Sequence, residues 1–231
     1  MKKSIITLLL ITTFVITSCT STAPVLKSVA YKGMYDEKPL VALIMPPINR
    51  STNIDAKEYF HSTIYTPIAD AGYYVIPPFL SMEIMKKESA FDAELFINSP
   101  LNKFSEVFGA DIAIFTIIHK WDKSSIGSYV SVEIEYIIKS TKTNEVLYTR
   151  RGDIKYDTSV STGLGGIGGL VANLAVSAAN TAAAKYVDVA RICNYYILKD
   201  LPAGIYSKNN GIDGALFAGA NKFKVNLSSQ Y

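Results

Sequence analysis

Two histidines, two carboxylates one residue apart and a glycine-rich run are the residues whose types and spacing could do chemistry in this chain. His61 follows Asp55 and Glu58 at steps of three. On a helix all three drift along one side and could present a metal-binding face, although the same spacing on an exposed helix is a solvated charged stripe. His119 closes an apolar run beside Lys120, Trp121 and Asp122, where a nearby acid or carbonyl would satisfy its ring. Glu133 and Glu135 point to the same side of a strand, roughly 7 Å apart, a separation that an acid–base pair of a glycosidase can approach. An outward, solvated strand face explains them without chemistry. No G-x-S-x-G elbow, P-loop, H-E-x-x-H or C-x-x-C is present. The expectation is therefore no catalytic residues, no metal site, no cofactor and no enzyme.

The glycine run is "GLGGIGGL" at 163–170. Gly163, Gly165 and Gly168 match the dinucleotide-binding spacing, and Asp188 stands where that fingerprint places its ribose-binding acid. The fingerprint requires a buried strand directly before it, and the preceding "KYDTSVST" is polar. The match is read as accidental. Residues 163–169 are expected to lead into a long helix of roughly 169–199 that packs on the domain or on a partner. Segment 163–184 carries no charge and is nearly long enough for a membrane span, but Asn173, Asn180, the glycines and the alanines make it weakly hydrophobic. A pore-associated component that inserts this segment is the alternative it raises.

The elements before these residues set their compartment. Lys2 and Lys3 precede an uncharged, mostly apolar stretch from Ser4 to Ile16, too short to span a bilayer, which reads as a signal peptide. Ile16-Thr17-Ser18-Cys19 resembles a bacterial lipobox, which implies cleavage before Cys19 and lipid on its sulfur. Two or three acyl chains anchor stably where one does not. Thr20, where an aspartate would favour inner-membrane retention, points to the outer membrane, facing the periplasm. The expected organisation is a signal peptide over 1–18, a lipidated terminus and tether over 19–38, and one domain over 39–231. With 23 basic and 20 acidic residues the chain is near charge balance once Lys2 and Lys3 leave, so nothing favours nucleic acid. The basic pair Arg150-Arg151 reads as a solvated strand end. Cys193, left without a partner by a lipidated Cys19, reads as a buried thiol in the helical pattern "VARICNYYIL".

Within the domain, "LVALIMPP" at 40–47 and "YYVIPP" at 73–78 are short apolar strands stopped by proline pairs. A helix between them starts after Asp55 and is kinked or split at Pro67. Helices are expected in "FLSMEIMKKESA" and in "SPLNKFSEVFGA", the latter capped by Ser99 with Pro100 first and Gly109 after its end. "DIAIFTIIHKW" is apolar on both faces and should be central. "SYVSVEIEYIIKS" alternates, with Val130, Val132, Ile134, Tyr136 and Ile138 inward, and "EVLYTRRGDIKYDTS" completes a meander. The fold class is α/β: a single three-layer or two-layer mixed sheet in the order β-α-β-α-α-β-β-β-α.

"LVALIMPPIN" at 40–49, "GYYVIPP" at 72–78, "FGADIAIFTII" at 108–118 and "LPAGIY" at 201–206, with the lipobox ending in Cys19, make the chain resemble the GNA1162-like lipoproteins, a family of unknown function. The resemblance implies a fold like the amino-terminal domain of TolB, and a CsgG-like lipoprotein as a partner. It brings no catalytic residues. The expected function is a membrane-anchored, non-catalytic cell-envelope lipoprotein acting in protein–protein assembly, with a CsgG-like lipoprotein or by self-association. A periplasmic hydrolase using His119 or Glu133 and Glu135 is the other alternative.

Overall fold

The computed structural model describes residues 23–124, 129–157 and 186–228. The segment 163–184, and most of the helix expected over 169–199, lie outside these residues. In chain order the elements are α1 (Lys27–Ala30), α2 (Lys32–Glu37), β1 (Val41–Ile44), β2 (Ile48–Asn49), α3 (Ala56–Thr63), α4 (Tyr65–Asp70), β3 (Tyr74–Val75), α5 (Pro78–Lys87), α6 (Asn102–Phe108), β4 (Ile112–Lys123), β5 (Tyr129–Ser140), β6 (Val146–Asp157), α7 (Tyr186–Leu198) and β7 (Lys222–Ser228). Single 3₁₀ turns sit at Ala93–Leu95 and Asp213–Ala215.

One mixed sheet runs β3-β1-β4-β5-β6-β7, with β2 added alongside β4. The helical crossovers make β1 parallel to β3 and β4, while β4, β5 and β6, close in sequence, pair antiparallel. β4 is the central strand its composition required. Ile112, Ile114 and Ile118 pack on the α3–α4–α7 side, and Ala113, Phe115 and Ile117 pack on the α5–α6 side. A register shift between Ile118 and Lys120 returns Trp121 to the α3–α7 side. The molecule is thus three layers deep around β1, β3 and β4. Over β5, β6 and β7 it is two layers deep, because Val130, Val132, Ile134, Tyr136 and Ile138 all face α7 while Ser131, Glu133 and Glu135 face away. The mixed α/β single-sheet fold is as expected.

Four local expectations need correction. The stretch 26–37 is not tether: α1 and α2 fold there, and Tyr31 and Met34 are buried in the main core. Tyr31 and Met34 supply the apolar anchor, but elements of one turn carry too few residues to show a period. The helix after Asp55 breaks at Ile64, three residues before Pro67. A proline ring opposes the carbonyl four residues back, here that of Thr63, so the break precedes the proline itself. α6 starts at Asn102, not after Ser99, whose hydroxyl donates instead to the Leu95 carbonyl at 2.6 Å. Gly109 does end it, in the left-handed region at φ 65°. Finally, β2 and β7 add strands that the expected order lacked.

Two of the sequence motifs meet through glycine. Gly204 donates to the Ala71 carbonyl at 2.8 Å and Tyr206 to the Gly72 carbonyl at 3.0 Å. A Cβ on Gly204 would lie 2.3 Å from the Gly72 oxygen, and Gly72 holds φ 95°. Only glycine permits that approach of "GYYVIPP" to "LPAGIY".

The helix α7 is fastened to the sheet by a buried polar set. Tyr136 donates its hydroxyl to the Asn194 side-chain oxygen, and the Asn194 amide donates to Thr63 Oγ1 at 2.9 Å and the Phe60 carbonyl at 3.2 Å. All three side chains are buried. Asn194→Ala leaves the Tyr136 hydroxyl unpaired, so a loss of about 1–3 kcal/mol is expected. Urea unfolding checks it, and a loss below half a kcal/mol in that order-of-magnitude range would show the set to be dispensable.

Candidate functional site

The alternation of β4, β5 and β6 gathers the candidate chemical groups onto the open face of the sheet. His119 sits at the register shift of β4, and its Nε2 is 2.8 Å from Glu135 Oε2. Glu135 stands opposite Arg151 on β6, while Glu133 stands opposite Asp153, a like-charged pair. Arg151 resolves that clash by reaching diagonally. Its Nε donates to Glu133 Oε1 at 3.0 Å, its Nη2 lies 2.8 Å from the same oxygen and its Nη1 lies 3.8 Å from Glu135 Oε2. Asp153 is matched on its other side by Lys224 of β7 at 3.1 Å. The result is a cross-strand ion ladder, His119–Glu135–Arg151–Glu133 and then Asp153–Lys224, spanning four strands. Such pairs fix register and solubility. The two glutamates share one guanidinium, so the ladder does not present the paired free carboxylates that a glycosidase-like reaction needs.

His61 does not join this cluster. It lies with Asp55 and Glu58 in a cleft of about 400 Å³ at the carboxyl end of β1, between α3 and α5, which Pro46, Pro47, Met82 and Lys86 also line. Open parallel sheets commonly bind ligands there. Burial pushes the His61 pKa below its ordinary value, so its ring is neutral at neutral pH. Asp55 occupies the N-cap position of α3 without making a side-chain cap, and instead its carboxylate is 3.4 Å from the Tyr59 hydroxyl. Among the described residues, no three His, Cys, Asp or Glu side chains stand together in a way that could hold a metal ion.

The basic pair is not a solvated strand end. Arg150 and Arg151 point to opposite faces in mid-strand, and Arg150 is buried. Its Nη1 donates to the Ile197 carbonyl at 2.8 Å, its Nε donates to the Ala220 carbonyl at 3.3 Å, and its guanidinium lies 4.6 Å over the Phe223 ring. Beside it Asp200 is also buried. Asp200 accepts from the Tyr31 hydroxyl and from the Gly219 amide at 2.8 Å, and lies 3.7 Å from Lys27 Nζ. Burial and the Asp200 contact push the Tyr31 pKa up. This buried set ties α1, α7, β6 and the segment before β7 together. The phase of β6 carried the signal for Arg150: Tyr148, Arg150, Ile154 and Tyr156 share the inward period of two. Asp200 and Lys27 gave no such signal.

Cys193 is fully buried, and burial pushes its thiol pKa up. A maleimide or dithiobis(nitrobenzoate) is expected to leave it unlabelled in the folded protein and to label it on denaturation. Stoichiometric labelling at neutral pH without denaturant would contradict its placement.

The GNA1162-like family profile, described as "Putative lipoprotein GNA1162-like", matches residues 29–207. A relative in Neisseria meningitidis serogroup B, named "Putative lipoprotein NMB1124/NMB1162", is 22% identical over 189 residues, covering 81% of this chain and 85% of its own. Among solved structures, lipoprotein GNA1162 from Neisseria meningitidis aligns with 20% identity and a TM-score of 0.48 over 63% of this chain and 99% of its own. A PelC dodecamer from Paraburkholderia phytofirmans aligns with 12% identity and a TM-score of 0.39 over 70% and 87%. The LpoB C-terminal domain from Salmonella enterica aligns with 12% identity and a TM-score of 0.37 over 55% and 93%. The profile spans more than half of the chain and takes in α2 through α7, from which it follows that this chain belongs to the GNA1162-like lipoprotein family.

Proposed function

We propose that the chain is a lipid-anchored cell-envelope lipoprotein that acts without catalysis, through protein–protein assembly, at the outer membrane facing the periplasm. The observation that carries the non-catalytic reading is the Arg151 ladder. It engages both Glu133 and Glu135, and with them His119, the groups on which the hydrolase reading of the sequence rests. The lipobox ending in Cys19 supports the anchor, and Thr20 supports the outer membrane. The family resemblance supports a CsgG-like lipoprotein as the partner. The test combines cross-linking in intact envelopes with the triple variant His119→Ala, Glu133→Gln, Glu135→Gln. The expected result is the same cross-linked protein partner from the wild type and the variant. Loss of an envelope phenotype in the variant, with its fold and its cross-links intact, would favour a hydrolase and refute the assembly reading.

A further inference from the structure

Among the described residues nothing pairs with the outer edge of β7, the last strand of the sheet. Its geometry fixes which groups it exposes. The Arg151 amide donates to the Asn221 carbonyl at 2.7 Å, and Arg151 is in register with Lys222. In a strand, residues alternate between turning their amide and carbonyl toward one neighbour and toward the other. Phe223, Val225 and Leu227 therefore bond toward β6. The amides and carbonyls of Lys222, Lys224, Asn226 and Ser228 point off the sheet. The strand contains no proline to block this edge, and an unblocked edge is a template for another strand.

We propose that this edge pairs antiparallel with the same edge of a second copy, across a two-fold axis at Val225. With the axis there, Lys224 lies opposite the second copy's Asn226, and Lys222 opposite its Ser228. All the outward amides and carbonyls of 222–228 find each other, because the outward residues pair only among themselves. The charges fit as well. Both lysines meet neutral polar residues, while Lys224 keeps Asp153 at 3.1 Å. An axis at Lys224 would set like charges face to face, which is destabilising. An axis at Asn226 would pair only Lys224 to Ser228 of the described strand with each other, five residues against seven for the axis at Val225. On the other face, Val225 meets Val225 and Phe223 meets Leu227. These side chains already pack with the main core, Phe223 against Tyr196 and Leu227 fully within it, so the pairing joins two cores along one apolar seam.

The pairing rests on the assembly reading for its setting in the envelope, and gives that assembly a second copy of the chain as one partner. The test is Val225→Cys in the full lipidated chain, oxidised in intact envelopes with copper phenanthroline. A directly opposed, non-hydrogen-bonded pair has Cα atoms about 4.5 Å apart, within the range a disulfide closes. Lys222→Cys is the control, since across this axis it would sit roughly 20 Å from its mate. Cys193 is fully buried and does not compete. The expected result is a reducible dimer at least about tenfold more abundant from Val225→Cys than from Lys222→Cys, in line with that geometry. Equal cross-linking at both positions, or none at Val225→Cys, overturns the proposal. Asn226→Pro is an independent check that a folding defect at 225 cannot confuse. It removes an outward amide while sparing the bonds to β6, a position where edge strands accept proline. Light scattering of the detergent-solubilised lipidated chain should give the wild type twice the protein mass of Asn226→Pro, and equal masses overturn the pairing. A monomeric wild type that still cross-links to a different envelope protein would refute the pairing and leave the assembly reading standing.

Discussion

Cys19→Ala, carried behind a signal peptide that is still removed, is expected to move the chain from the membrane fraction to the soluble fraction, with loss of palmitate label. This should be the largest effect of any single substitution. Each buried CH₂ of an acyl chain contributes about 0.8 kcal/mol to membrane binding, so two or three chains hold a protein where one gives only marginal attachment. Among the described residues no helix is long and apolar enough to cross a membrane and replace that anchor. Partition in a phase-separating detergent reads the result directly. Retention of Cys19→Ala in the detergent phase, unlabelled by palmitate, would show that another part of the chain holds the membrane and would remove the lipid from the account.

The second large effect falls on the fold. Asp200→Ala removes the acceptor of the Tyr31 hydroxyl and the Gly219 amide and leaves Lys27, whose side chain is 9% exposed, without its counter-charge. Breaking a buried ion pair from one side costs about 3–5 kcal/mol, because the remaining charge stays buried. For a domain of this size that corresponds to a fall of about 6–20 °C in Tm. Asp200→Asn should cost less, since it retains an oxygen acceptor and removes only the charge. Differential scanning calorimetry of both variants measures the two contributions. If both unfold within about 2 °C of the wild type, less than 1 kcal/mol on this scale, the buried set is not what holds the two ends of the chain together.

What the sequence disclosed depended on length and phase. β4, β5 and β6 each run 12 residues, enough for a period of two to show, and their burial follows that period. β1 was legible because its apolar run stops at a proline pair. α1 and α2, of 4 and 6 residues, are shorter than the repeat that would reveal them. β7 did alternate, lysine and asparagine against Phe223, Val225 and Leu227, yet it lies far from the strands it joins. The partnership of Lys27 with Asp200 is separated by most of the chain and has no local pattern at all. The same holds for Arg151, whose role came from the diagonal geometry of three strands and not from its place beside Arg150. His61, Asp55 and Glu58 were correctly placed on one helix, but a shared face of a helix is not a convergence of ligating atoms.

The early start of the folded domain bears on how far it can travel. Leu26 is already fixed, bridged to Phe217, with Lys27 donating to the Leu216 carbonyl at 2.8 Å. A fully extended chain spans at most about 3.3–3.6 Å per residue, so a lipid on Cys19 lies no more than about 25 Å from that first fixed point, where a leash running to residue 38 would have allowed about 65 Å. On so short a leash a domain anchored at Cys19 would not cross to the far side of a wide compartment. With the anchor proposed above, it would meet any partner within a layer beside the bilayer, and that partner would have to come to it.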